Sequence, residues 1–258
     1  MNAEEKFNNW QIAFGLSEID NETPSYYLQC LAEANIIGMI TDEEAEELLL
    51  NYYMQNKIGP QYGTDVVILK IKRFLPIPDF RLSVEYFYAI HGYIFDKVFP
   101  DAGKTRRRNI NKREPILNDN SVIYAPMQHI EEYLQYDFSQ ELKKNYKNKS
   151  VEEVIDLITP FITNIWQAHP FADGNTRTTS VFLEKYLNQL GFKTNNNIFK
   201  ENATYFRAAL VRANYTTCEE LEPTYEYIKK FLRKLLIDET IVLDISELYI
   251  SPIEPKLQ

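Results

Sequence analysis

The segment WQAHPFADGNTRTTS, Trp166 to Ser180, gathers several side chains that chemistry uses. Between His169 and Arg177 stand a histidine, a carboxylate (Asp173), a glycine followed by an asparagine (Gly174, Asn175) and a guanidinium. His169 is one of three histidines in the chain, and the one group in the segment that can accept a proton near neutral pH. Asp173 is a hard oxygen ligand. Mg²⁺ takes one or two such carboxylates and lets substrate phosphates fill further positions. A glycine just before a helix leaves first-turn N–H groups pointing at an anion site, and Arg177 adds a planar fork suited to phosphate. The combination points to phosphate chemistry on a magnesium-bound nucleotide, with a histidine base for an incoming hydroxyl. Taken singly, each part has a plainer reading: a helix-end histidine caps, Asp-Gly turns, and a first-turn arginine is solvated. Their conjunction favours the chemical reading.

Such a constellation needs a helix, a tight loop and a second helix. Ser150 and Glu153 form a capping box, and the apolar positions Val154, Leu157, Ile158, Phe161, Ile162, Ile165 and Trp166 predict a helix over 151–168 that delivers His169 at its end. Pro170 forces the backbone out of helical geometry there, and a helix over about 175–190 follows. The rest of the chain reads as mostly helical. Helices are expected over 4–16, from Pro24 and Ser25 to Gly38, from the Thr41/Glu44 capping box onward, from Ser83 past His91, over about 126–146, and over 199–212 and 223–237. Residues 56–80, with Gly59, Pro60, Gly63, Pro76 and Pro78, read as a linker or irregular connection, with a boundary near residue 57. The turn Asn118-Asp119-Asn120 between two short extended runs predicts a small β-hairpin. The expected class is all-α, mainly helical, with three regions: an N-terminal helical region at 1–57, a main domain at 58–240 and a tail at 241–258.

Composition narrows the function classes. The chain has 258 residues, 45% of them hydrophobic, and a net charge of −9. That sign argues against a non-specific nucleic-acid partner, and the basic run Lys104 to Arg108 reads as a solvated loop or as local help for phosphate. No apolar run approaches a membrane span, and the N-terminus lacks a signal-peptide pattern, so a cytoplasmic protein is expected. Cys30 and Cys218 have no paired spacing and read as reduced thiols. His91 sits among apolar positions and reads as a satisfied core residue, since no His-x₃-His spacing marks a metal site.

The stretch His169-Pro-Phe-Ala-Asp173-Gly-Asn-Thr-Arg177 resembles the signature of the Fic family, His-Pro-Phe-x-Asp/Glu-Gly-Asn-x-Arg. The similarity extends to AGKTRRRNI (102–110), SVIYAP (121–126) and ENATYFRAALVRANY (201–215), and covers about 85–240. The resemblance implies a Fic-type helical bundle with a small β-hairpin flap and an N-terminal helical extension. It also implies a protein adenylyltransferase that moves AMP from ATP to a hydroxyl side chain of a target protein, or of the enzyme itself, with ATP and Mg²⁺ as cofactors. In that scheme His169 is the base and Asp173 the metal ligand. Gly174, Asn175, Thr176 and Arg177 hold the phosphates, Asn214 contacts the adenine, and Ile123 and Tyr124 belong to the flap that registers the target strand. A phosphotransferase of the Fic/Doc type and a catalytically weak binding module remain open as alternatives, as does homo-oligomerisation. Two departures stand out. Thr176 replaces a glycine found in many members, and Ser180 replaces a second arginine. The loss of one charge-assisted contact to the terminal phosphate is worth about 1.5–3 kcal/mol. The nearest match to the family's inhibitory helix is Leu16 to Asn21, with Asp20 in the place of its glutamate. Facing Ser180 instead of an arginine, Asp20 would give weak inhibition or none.

Overall fold

A computed structural model of the chain describes residues 2–19, 22–55, 59–194, 196–216 and 223–250. The expected boundary near residue 57, Asp20, Asn21 and Cys218 lie outside them. Among the described residues there are ten α-helices, two short 3₁₀ turns and no strand: α1 (Ala3–Glu18), α2 (Tyr26–Ile36), α3 (Asp42–Gln55), α4 (Tyr62–Phe74), α5 (Val84–Phe95), α6 (Ile130–Glu141), α7 (Val151–Ala168), α8 (Asn175–Gln189), α9 (Asn196–Ala213) and α10 (Glu226–Leu236), with 3₁₀ turns at Pro115–Leu117 and Ile245–Leu248. The all-α class is as the periodicity predicts.

The chain divides into two compact units, each built from two separated segments. Unit 1 holds Met1–Thr105 and Phe171–Ala203; unit 2 holds Arg106–Pro170 and Thr204–Gln258. Unit 1 contains α1 to α5 and α8. Its helix starts follow sequence signals: Ser25 and Ser83 each accept a bond from the third residue of their helix, as N-caps do, and the Thr41/Glu44 box closes at 2.7 and 3.1 Å. The expected linker over 56–80 is corrected by α4. Its apolar run Val66–Ile71 is buried and packs against α1 and α5, so burial overrides the Gly and Pro punctuation at its ends. Two buried polar groups on α4 tie the N-terminal helices together. Asp65 accepts bonds from the Ser25 N–H at 2.9 Å, the Ser25 hydroxyl and the Tyr53 hydroxyl at 2.7 Å. Lys72 donates to Asn35 at 2.9 Å and pairs with Asp42. Helix α8 is buried along most of its length despite many polar side chains. Several of these bond back to their own helix or its cap, Thr178 to the Gly174 carbonyl at 2.9 Å and Ser180 to the Thr176 carbonyl at 2.8 Å.

Unit 2 is organised by α7, which packs against α6 and α10. The Ser150/Glu153 capping box is present. The expected hairpin does not form. Between Lys112 and Ser121 the chain makes the 3₁₀ turn Pro115–Leu117, closed by Glu114 N–H to the Asn120 carbonyl at 3.0 Å. Asn118 and Asp119 do adopt the left-handed turn conformation, φ 51° and 63°. A strand ladder is not available to the flanks, because Pro115 has no N–H and the buried Glu114 side chain is drawn into a two-pronged ion pair with Arg207 at 2.7 and 2.9 Å. At the other end of the unit, Arg212 donates to the Leu248 carbonyl at 2.7 Å, Leu248 is fully buried, and the Ile250 N–H bonds the Ile116 carbonyl at 2.9 Å.

Candidate functional site

The motif read in the sequence is shared between the units: His169 and Pro170 close one segment of unit 2, and Phe171 to Arg177 open one of unit 1. In unit 2, His169 caps α7 in the left-handed conformation, φ 47° and ψ 57°. The proline that follows disfavours helical geometry at this position. A non-glycine residue here costs about 1–3 kcal/mol unless its surroundings hold it. They do. Both the His169 N–H, at 3.1 Å, and its ring Nδ1, at 3.2 Å, meet the Trp166 carbonyl. A carbonyl only accepts, so Nδ1 carries the proton and Nε2 keeps the lone pair. His169 is 1% exposed, and among the described residues Nε2 has no hydrogen-bond partner. Burial holds the imidazole well below its ordinary pKa, and the Lys112 charge pushes the same way; the Trp166 bond opposes them, and Arg106 and Arg207 add to the depression. The side chain is a neutral base with a buried, unoccupied acceptor.

Arg106 fixes the turn that presents it. Its Nε donates to the His169 carbonyl at 2.8 Å and its backbone N–H to the Pro170 carbonyl at 2.7 Å. The guanidinium also reaches the carbonyls of Arg108, at 2.6 Å, and Ala125. The sequence offered a solvated loop or local help for phosphate as readings of the run that holds this arginine; it is 5% exposed. Of the two flap residues, Ile123 points outward, 70% exposed, whereas Tyr124 is buried, its ring centroid 4.3 Å from that of His169. The segment is tied to α7 by Gln167 Nε2 to the Ile123 carbonyl at 2.9 Å. Asn214 is buried and spends both amide hydrogens inside the unit, on the carbonyls of Thr163 at 3.1 Å and Leu210 at 3.0 Å.

In unit 1 the loop from Phe171 to Gly174 is closed by Asn175, whose side chain accepts from the Phe171 N–H and donates to the Phe171 carbonyl, both at 2.9 Å. Asn175 is thus a loop staple in its own right. Gly174 takes φ 73° and starts α8 without a side-chain cap. A Cβ at this position would lie 2.3 Å from the Phe95 ring, so only glycine fits. Asp173 is exposed and accepts the Gly174 N–H at 2.7 Å. Thr176 is buried. Arg177 lies over the Phe95 ring, 4.8 Å to the centroid, and pairs with Glu22 at 3.0 Å. Glu22 also accepts the Thr64 hydroxyl at 3.1 Å. Asp20, expected as the inhibitory carboxylate, lies outside the described residues; the described acid on this arginine is Glu22. Beneath the loop, His91 accepts the Gly103 N–H on Nδ1 at 2.8 Å, so Nε2 carries the proton and donates to the Asp173 carbonyl at 3.1 Å. Burial pushes its pKa down to about 4. Phe171 stacks on the imidazole at 3.7 Å. His91 is satisfied, as expected, but it also supports the loop, a role its sequence neighbourhood did not reveal.

Among the described residues no group of three or more His, Cys, Asp or Glu side chains could hold a metal ion by itself, and no helix is long and apolar enough to cross a membrane. No curated protein matches the chain. Among solved structures, the chain is similar to the N-terminal Fic domain of a Bartonella effector protein from Bartonella sp. AR 15-3, at 19% identity over 77% of this chain and 86% of that one, TM-score 0.52. It is similar to BepC, a VirB-translocated effector of Bartonella tribocorum solved with bound AMPPNP, at 18% identity over 73% and 86%, TM-score 0.53. It is also similar to the N-terminal FIC domain of Bep8 from Bartonella sp. 1-1C, at 16% identity over 80% and 92%, TM-score 0.51. These likenesses are ones of fold. The Fic/DOC family model matches residues 81–187 of this chain, a stretch that covers the motif itself and α5 before it.

Proposed function

We propose that the protein transfers AMP from magnesium-bound ATP to a hydroxyl side chain, Ser, Thr or Tyr, on a target protein. The observation that carries this reading is the state of His169: neutral, its proton held on Nδ1 by the Trp166 carbonyl, its Nε2 lone pair buried and without a partner. A hydroxyl is the donor that such an acceptor suits. His169 takes the hydroxyl proton at Nε2 as the oxygen forms its bond to the α-phosphorus, and the bond from that phosphorus to pyrophosphate breaks. Bound ATP supplies the electrophilic phosphorus and the leaving group.

The residues of the loop fit polyphosphate and metal. Gly174 leaves the start of α8 uncapped by any side chain. Asp173 is one exposed carboxylate, which suits a Mg²⁺ ion that takes its other ligands from phosphate and water. Asn175 holds the loop closed, and Arg177 offers charge, shared with Glu22. An incoming phosphate therefore competes with Glu22, which gives control by the N-terminal region. The reading carries a cytoplasmic site of action with it, where Mg-ATP is at hand. ATP labelled at the α- or the γ-phosphate tests the proposal directly. Label from the α position is expected on protein, with Mg²⁺ required. Label retained only from the γ position overturns AMP transfer in favour of phosphate transfer.

A further inference from the structure

Beside the segment 121–126, unit 2 contains a cleft of about 660 Å³ between that segment, α6 and α7. Its walls carry Ile123, Tyr133 and Tyr136, which are 70%, 46% and 63% exposed. Three large apolar side chains on one concave surface are more than scattered surface hydrophobics. The polar lining has one sign. Glu132 and Asp137 contribute carboxylates, Asn164 an amide, and no Lys or Arg lines the cleft. Helix α6 itself, IEEYLQYDFSQE, contains no basic residue. Asp137 is half-buried and receives one hydrogen bond, from Asn164 Nδ2 at 3.0 Å. An ionised carboxylate accepts about four. Removal from water pushes its carboxyl above the usual range, outweighing the Asn164 bond and the charge of Lys144, a cost that a further cation placed beside it would offset.

Tyrosine rings and a carboxylate lining one cleft suit a cation with an apolar stem, since tyrosine rings attract ammonium and guanidinium groups and the stem covers apolar wall. We infer that this cleft takes the side chain of an arginine or lysine from an extended segment of the target protein. The inference rests on the reading of 121–126 as the edge along which the target lies. Side chains on a strand alternate in direction, so one register of that segment delivers its basic residue into the cleft while the acceptor hydroxyl is carried elsewhere along the strand. Target choice then has a charge component that backbone pairing alone lacks.

The test measures binding by full-length protein carrying His169→Ala, so that chemistry plays no part. Fluorescent extended peptides of threonine and valine with one central Arg, Lys or Gln are titrated by anisotropy. The Arg and Lys peptides are expected to bind about tenfold tighter than the Gln peptide. Asp137→Asn should erase that preference and leave Gln-peptide binding unchanged. Asp156→Asn, which removes an exposed carboxylate of α7 paired with Lys229, should leave the preference intact. Equal binding of all three peptides by the parent overturns the inference. So does a preference that survives Asp137→Asn, or one that Asp156→Asn reduces equally, since either result traces it to general negative charge. A dimer in sedimentation that Asp137→Asn dissolves would give the cleft to a second copy and overturn it as well. Binding with the expected preference, joined to no transfer of AMP by the parent protein, would instead refute the proposed function and keep the cleft.

Discussion

The two buried histidines, His91 in unit 1 and His169 in unit 2, are 2% and 1% exposed and both neutral. A neutral imidazole has one donor and one acceptor. His91 uses both, one on each of two loops, and so joins Gly103 to Asp173. His169 uses only the donor. Burial is therefore the same in the two regions and satisfaction is not. An unmet buried acceptor stands as a cost of about 1–3 kcal/mol, which a substrate hydroxyl would relieve on arrival. A buried histidine with both nitrogens engaged holds structure together; one with a nitrogen left over suits the base that the proposed transfer needs.

The largest expected effect tests that distinction at its strong end. His169→Ala should lower AMP transfer by about 10²–10⁴-fold while the affinity for a non-hydrolysable ATP analogue changes less than about twofold, measured by calorimetry. Matching losses in rate and affinity would make His169 a binding residue and remove the contrast. Next comes acid. The folded His91 has a pKa near 4 against 6.5 for the unfolded chain. Between those values the unfolded state binds the extra proton, so stability falls as pH drops from 6.5 toward 4, by about 3 kcal/mol from this residue. Urea unfolding over that range, with His91→Phe as the subtracted reference, isolates the term; equal slopes for the two proteins would contradict it.

At neutral pH, His91→Phe keeps a ring against Phe171 but strands the Gly103 N–H and the Asp173 carbonyl. A loss of about 2 kcal/mol in unfolding free energy is expected, and a variant as stable as the parent would show that His91 only fills space. The smallest effect extends the comparison to Arg177, one of whose guanidinium nitrogens pairs with Glu22. Glu22→Gln removes one carboxylate that competes with phosphate for the buried Arg177, and should raise the transfer rate by up to about tenfold. A gain of a hundredfold would show that this pair is a strong lock.

The parts legible in the sequence are those whose cause is local. The Ser150/Glu153 and Thr41/Glu44 boxes and the Ser25 and Ser83 caps mark helix starts within three residues of themselves, and Pro170 after an apolar helix marks where His169 must leave helical geometry. Helix α4 was hidden because Gly59, Pro60, Gly63, Pro76 and Pro78 read as punctuation, while the helix draws its stability from burial of Val66 to Ile71 against other helices. The hairpin expectation read the turn at Asn118 and Asp119 correctly and its flanks wrongly, since the Glu114 partner, Arg207, lies 93 residues on. The same distance in sequence concealed the supports of the site. Arg106 meets His169 across 63 residues, His91 meets Asp173 across 82, and Arg177 meets Glu22 across 155. No spacing pattern encodes such partners.

The interleaving of the two units bears on how the chain acquires its structure during synthesis. Unit 1 needs Phe171–Ala203, which leaves the ribosome only after Arg106–Pro170, a stretch that belongs to unit 2. At roughly 5–20 residues per second that delay lasts about 3–13 s. Over this interval the nascent helices α1 to α5 wait without α8, and α7 emerges only toward its end. Unit 1 is complete once Ala203 has emerged, while unit 2 still awaits Thr204–Gln258; the bonds that hold the turn at His169 come from Arg106 and Trp166, which precede it in the chain.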